Sequence, residues 1–240
     1  MIVLSIILMA MQVGEVRPDR VKVAIAPDET RRIEADFARC LVKIHPVEAR
    51  HFVVGDLADA QAQQSNLMRA VDNRCFVPNI LGEARISIPP GALRQMLANA
   101  LVQAQLATTT LGDLELVAPL IHPIYNDDQF QPKAGKQYKP AELQTMAEQR
   151  AALKAGRFLS IFGECVVRMD QANALVLLNS SPTSSAEEAA IAALAPAMGQ
   201  CIPEGQSLAL NKESIRGNVA ENYYRLAVAP RVAPVSKAAQ

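Results

Sequence analysis

Apolar residues at Leu93, Met96, Leu97, Ala100 and Leu101 recur at i, i+3, i+4, i+7 and i+8, the spacing that gathers side chains on one face of an α-helix. Pro89-Pro90-Gly91 stand just before them, and proline is tolerated in a first turn, so a helix opens there. The same spacing joins Ile33, Phe37, Cys40 and Leu41 into a helix that starts near Asp28 and is ended or kinked by Pro46. Leu67 and Val71 then lead in steps of four to Cys75. A long helix opens at Pro140 and runs through Leu143, Met146 and Leu153 toward Gly156. Ser184 or Ser185, followed by Glu187 and Glu188, caps a further helix that Pro196 kinks or shortens. Asn211 and Glu213 start the last one. Elsewhere the pattern shortens: Ile86-Ser87-Ile88 and Leu208-Ala209-Leu210 alternate as short strands do, and Leu114 to Leu120 suits a strand followed by a loop. The predicted class is mainly α with short β-strands, α+β.

These elements come twice. Phe37, Cys40, Leu41, Val42, Lys43, Ile44 and Ala49 match Phe162, Cys165, Val166, Val167, Arg168, Met169 and Ala174 at a constant offset of 125. A second cysteine follows the first by 35 positions in one copy (40 to 75) and 36 in the other (165 to 201), and Pro78 and Pro203 come shortly after. Leu93-Arg94 and Leu97-Ala98 match Ile215-Arg216 and Val219-Ala220 at an offset of 122. The expectation is a tandem pseudo-symmetric repeat of helix–helix–strand–helix. It divides the chain into a signal or leader segment at 1–26, repeat 1 at 27–107, a linker or insertion at 108–139, repeat 2 at 140–229 and a disordered tail at 230–240.

Composition narrows the function classes. Of 240 residues, 50% are hydrophobic and 20% charged, so a packed core is expected. Lys and Arg number 24, as do Asp and Glu, and neither copy carries a basic cluster that would attract a phosphate backbone. Tryptophan is absent and aromatics are 4%, which removes the usual stacking platforms for bases. Nucleic acid is therefore excluded as a partner. The opening run MIVLSIILMAMQV is shorter than the roughly 20 residues a membrane span needs. It suits the apolar region of a secretory signal, although no Lys or Arg precedes it and no clean cleavage site follows. The competing reading is a buried first element of the fold. On the signal reading the mature chain has no transmembrane span and is periplasmic or secreted.

Four cysteines, one pair per copy, allow three connectivities, and the duplication favours Cys40–Cys75 and Cys165–Cys201. Such bonds persist outside the cytosol. Four reduced core cysteines are the competing reading. A metal site has least support, since there is no C-x-x-C and the histidines are only His45, His51 and His122.

Catalytic motifs are missing: no G-x-S-x-G, S-x-x-K, H-E-x-x-H, G-x-G-x-x-G or P-loop occurs. No catalytic residue, metal or cofactor is assigned. Arg94 and Arg216 carry the same charge at the same place in both copies, which makes them candidates for holding an anion. The structural alternative is that each pairs with a carboxylate of its own repeat. Lys43 and Arg168 are a second matched pair, expected to be solvated. Residues 108–139 match nothing in the second copy and mix Tyr125, Asp127, Asp128, Phe130 and Tyr138. They read as a solvated linker with anchoring rings, or as a ligand contact.

The pattern F-x-x-C-h-V-[KR], a second cysteine about 35 residues on, a nearby proline, then [LI]-R-x-x-[LV]-A, resembles a family of uncharacterised exported bacterial proteins carrying this unit once or twice. The resemblance covers some two-thirds of the chain. It implies export and disulfides, and nothing about chemistry. Three functions follow as expectations: a non-catalytic binding or envelope-associated module with a protein or small-anion partner; a hydrolase-type enzyme with a site between the repeats or in 108–139, using Asp127, Asp128 or Glu148; and a reduced cytosolic scaffold.

Overall fold

The computed structural model describes residues 26–55, 67, 75, 88–123, 127–205 and 210–231. Among them are seven α-helices: α1 Pro27–Ile44, α2 Pro46–Val54, α3 Pro90–Gln105, α4 Pro140–Met169, α5 Gln171–Asn179, α6 Ser185–Gln200 and α7 Lys212–Val228. The start of each helix has a local cause. Proline stands in the first turn of α1 to α4, where its missing N–H costs nothing. The side chains of Asp170, Ser184 and Asn211 accept from the backbone N–H groups of Asn173, Glu187 and Ser214, capping α5, α6 and α7. One non-helical residue, His45, separates α1 from α2, and one, Asp170, separates α4 from α5. Pro196 lies inside α6, which runs on to Gln200.

The expected α+β class does not hold, and neither does its helix–helix–strand–helix unit. The described residues contain no strand, only an isolated antiparallel bridge between Val117 and Arg231. Of the two short alternating runs, Ile88 and Leu210 are described, and both pack against the core. Each stands immediately before a helix N-cap, Pro89 or Asn211, with an apolar residue, Leu93 or Ile215, at the fourth helical position. Those are the positions of a hydrophobic staple. Burial of one side chain ahead of a helix, not a pleated strand, produces the alternation. Leu114–Leu116 form a 3-10 turn, with the Asp113 carboxylate accepting from Glu115 N at 2.8 Å, where a strand was expected.

α3 and α7 pack on each other at the centre. α1 and α2 cover α3, while α4 and α5 cover α7. One apolar cluster runs through both halves, including Phe37, Leu41 and Phe52 from the first and Phe162, Val166 and Leu177 from the second. Gly163 lets α4 and α7 approach: a Cβ there would lie 2.6 Å from Asn218 O and 2.7 Å from Asn222 Nδ2. α4 does not stop at Gly156 but continues for 30 residues in all, its first half exposed beside the turn Asp127–Phe130. Two disulfides, Cys40–Cys75 and Cys165–Cys201, close within the halves, with Cα–Cα distances of 5.5 and 5.8 Å. No helix among the described residues is long and apolar enough to cross a membrane. The leader up to residue 25, Tyr125, most of the run from Leu67 to Cys75 and the tail from 232 lie outside the described residues.

Candidate functional site

Two clusters of buried polar side chains stand out, one between α1, α6 and α7, the other where residues 107–123 lie along α4. The first centres on Glu187, in the first turn of α6 and wholly buried. Arg31 of α1 grips its carboxylate with both terminal nitrogens, at 3.1 and 2.6 Å. Arg216 of α7 donates from Nη1 to the same carboxylate and to Ser180 Oγ, both at 3.1 Å. Its Nη2 donates to the carbonyls of Leu178 (3.1 Å) and Ser180 (2.6 Å). Thr183, held at φ 65°, donates its backbone N–H to Glu187 at 2.8 Å. Burial alone pushes the Glu187 carboxyl up; the hydrogen bonds from Arg31 and Thr183 and the charges of Arg31 and Arg216 outweigh it and hold it below its ordinary range.

Arg94, the matched arginine on α3, is 1% exposed and pairs through Nε with Glu221 at 2.9 Å, which Arg225 approaches at 3.7 Å. Glu221 belongs to α7, across the central contact rather than in the same half. Both candidate anion-binding arginines are thus buried beside carboxylates. A cavity of about 70 Å³ opens between α1, α3 and α7. Arg216 lines it together with Arg31, Glu34, Asn99 and Glu213, and Arg94 does not. The Glu34 carboxyl is pushed up by burial and then by the Glu213 charge, against the pull of Arg31.

The second cluster ties down residues 107–123, for which a solvated linker was expected. With no sheet to receive them, the backbone groups of this strap are met by side chains. Asn179 donates to Ala107 O, Tyr223 to Thr109 O and Arg231 to Asp113 O, at 2.7 to 2.9 Å. Gln171 accepts from Leu111 N and donates to Gly112 O. Arg168, expected to be solvated, reaches the carbonyls of Leu114, Val117 and Ala118 at 2.6 to 3.1 Å. Its counterpart Lys43 is exposed.

At the end of the strap, His122 Nδ1 lies 2.8 Å from Ser160 Oγ and Nε2 lies 2.7 Å from Glu164 Oε2. Glu164 also accepts from Arg168 at 2.7 Å and from Leu120 N at 3.2 Å. Burial pushes the Glu164 carboxyl up, and the hydrogen bonds from His122, Arg168 and Leu120 reverse this and hold it low. Motif searching misses this trio, because His122 is 38 residues before Ser160. The one local signal is that Ser160 and Glu164 are one helical turn apart. A serine, a histidine and a carboxylate in series have the connectivity of an acyl-transfer triad. Two features oppose that use: Ser160 is 5% exposed, and it sits within α4, where the neighbouring N–H groups are committed to the helix and supply no oxyanion hole.

The remaining sequence candidates are dispersed. Asp128 and Glu148 are exposed, and Gln144 donates to Glu148 at 2.9 Å. Tyr138 accepts from Lys133 N at 3.2 Å and lies under Lys136 Nζ, 4.6 Å from its ring centre. Among the described residues no group of three His, Cys, Asp or Glu side chains is placed to hold a metal ion. Comparison with family models, with curated proteins and with solved structures finds no match to this chain.

Proposed function

We propose that this chain is an exported or periplasmic module, made of two disulfide-clasped helical halves descended from one duplicated unit, that acts by binding rather than by catalysis. The carrying observation is the pair of local bridges, 35 and 36 residues apart, with no cysteine left free. Bonds of this kind persist in oxidising compartments. The duplication is supported by helix boundaries. α1 ends at 44 and α4 at 169; α2 spans 46–54 and α5 spans 171–179, each pair 125 apart. α3 and α7 begin 122 apart, at 90 and 212. A Cβ on Gly217 would meet the side chain of Gln95, its counterpart at that same offset, as a twofold relation between the halves requires. The binding role follows from the buried charges: Arg31, Arg94 and Arg216 are matched to carboxylates inside the fold, an arrangement that holds a scaffold. The sequence resemblance to exported bacterial proteins points the same way.

The test is fusion of alkaline phosphatase to the C-terminus of the full chain, with the purified chain assayed against ester, peptide and glycoside substrates. The reading expects an active fusion and no turnover; an inactive fusion, or turnover abolished by a point substitution, contradicts it. The second reading is a hydrolase, favoured by the His122–Ser160–Glu164 chain. Covalent labelling of Ser160 by a fluorophosphonate, lost in His122→Ala, would establish it.

A further inference from the structure

We propose that the cavity between α1, α3 and α7 binds a primary ammonium group on a short alkyl stem. Its walls present acceptors without donors. Asn99 of α3 is 9% exposed, and its Oδ1 has no hydrogen-bond partner. Glu34 of α1 and Glu213 at the start of α7 share the same opening. Neither carboxylate has an ion pair or a side-chain hydrogen bond among the described residues, and they raise each other's cost of ionisation. The guanidinium groups in the wall do not relieve them. Arg31 is spent on Glu187, while Arg216 is spent on Glu187, Ser180 and Leu178. Two guanidinium groups therefore face three carboxylates, Glu187, Glu34 and Glu213, leaving one negative charge uncompensated. A buried acceptor without a donor costs roughly 1–3 kcal/mol, so a ligand carrying N–H donors and positive charge is favoured twice over.

Size and lining narrow the ligand. About 70 Å³ holds roughly five water-sized probes at the 10–15 Å³ each occupies. An ammonium and a few methylenes fit; a sugar ring or a base does not. Ala35, Ala92, Met96 and Pro182 supply the apolar wall along which such a stem would lie. A quaternary ammonium has no N–H to give Asn99, and an anion would meet Glu34 and Glu213.

This inference rests on the binding-module reading and is separable from it: absence of amine binding would sink the inference alone, whereas turnover or an inactive fusion would sink the reading. The experiment is calorimetric titration of the full, disulfide-bonded chain with n-butylamine, with n-butanol and tetramethylammonium as controls. Saturable binding of n-butylamine is expected, with neither control binding. Glu34→Gln should weaken it at least tenfold. Gln95→Glu, which adds a carboxylate to the wall, should tighten it several-fold, a gain that misfolding cannot imitate. A blocked peptide with a central lysine separates the sources: tighter binding than n-butylamine assigns the ammonium to a protein partner, weaker binding to a free alkylamine. Equal binding of n-butanol and n-butylamine, or no change in both variants, overturns the proposal.

Discussion

At the scale of single residues, Glu187 decides the most. One carboxylate serves Arg31, Arg216 and the Thr183 N–H with no solvent to share the load. Removing one member of a buried ion network strands the others, at about 3–5 kcal/mol. Glu187→Ala should therefore lower the urea midpoint by that amount with an unchanged slope; a loss below about 1 kcal/mol contradicts the account. Acid has two opposed effects. Glu34 is held above its ordinary pKa, so its strain is relieved as pH falls through that raised value. Glu164 and Glu187 are held low, so their contribution is full above the unfolded value of about 4.3 and is lost as pH falls through their depressed values. Stability should rise slightly on mild acidification and then drop below about pH 4; in Glu34→Gln the initial rise disappears. Denaturation midpoints across pH check both. The sequence marked Arg94 and Arg216 as a matched pair, but their partners lie 127 and 29 residues away, and single-chain spacing carries no signal at that range. His122, Ser160 and Glu164 were hidden for the same reason.

At the scale of elements, helix starts were legible because their causes are local: a proline in the first turn, or an Asp, Ser or Asn that caps. Strands were misread because an apolar residue ahead of a helix and an apolar residue in a short strand look alike over three positions. Gly156 was misread as a stop. A glycine inside a helix costs only about 1 kcal/mol, and the apolar face resumes at Phe158, Phe162, Val166 and Val167, of which the last three are buried. α4 thus carries two glycines with opposite expectations. Gly156 has nothing within 4 Å of an added Cβ, so Gly156→Ala should stabilise by about 0.5–1 kcal/mol. Gly163 faces the backbone of Asn218, which cannot step aside without moving α7. The same helix-propensity gain is overwhelmed there, and Gly163→Ala should lose about 1–3 kcal/mol net. Melting temperatures moving in opposite directions would check the pair; a stabilised Gly163→Ala would show that α4 and α7 are less closely seated.

At the scale of the whole molecule, the two halves are not beads on a linker. α3 and α7 share one apolar cluster, Arg94 crosses from one half to Glu221 in the other, and residues 107–123 are pinned to α4, α5 and α7 by side chains. The strap was read as solvated because its proline- and glycine-rich composition advertises a loop, while the groups that hold it, Arg168 and Gln171 among them, belong to other elements. Each bridge closes a loop that, on the chain-entropy model, stabilises by about 3–4 kcal/mol, and both loops are internal to a half. The account's central claim is that these clasps form in an oxidising compartment, and peptide mapping under non-reducing conditions of chain recovered from its native cells tests it most directly. The account predicts two linked peptide pairs, Cys40 with Cys75 and Cys165 with Cys201. Four free thiols, or a bridge joining the two halves, would contradict it.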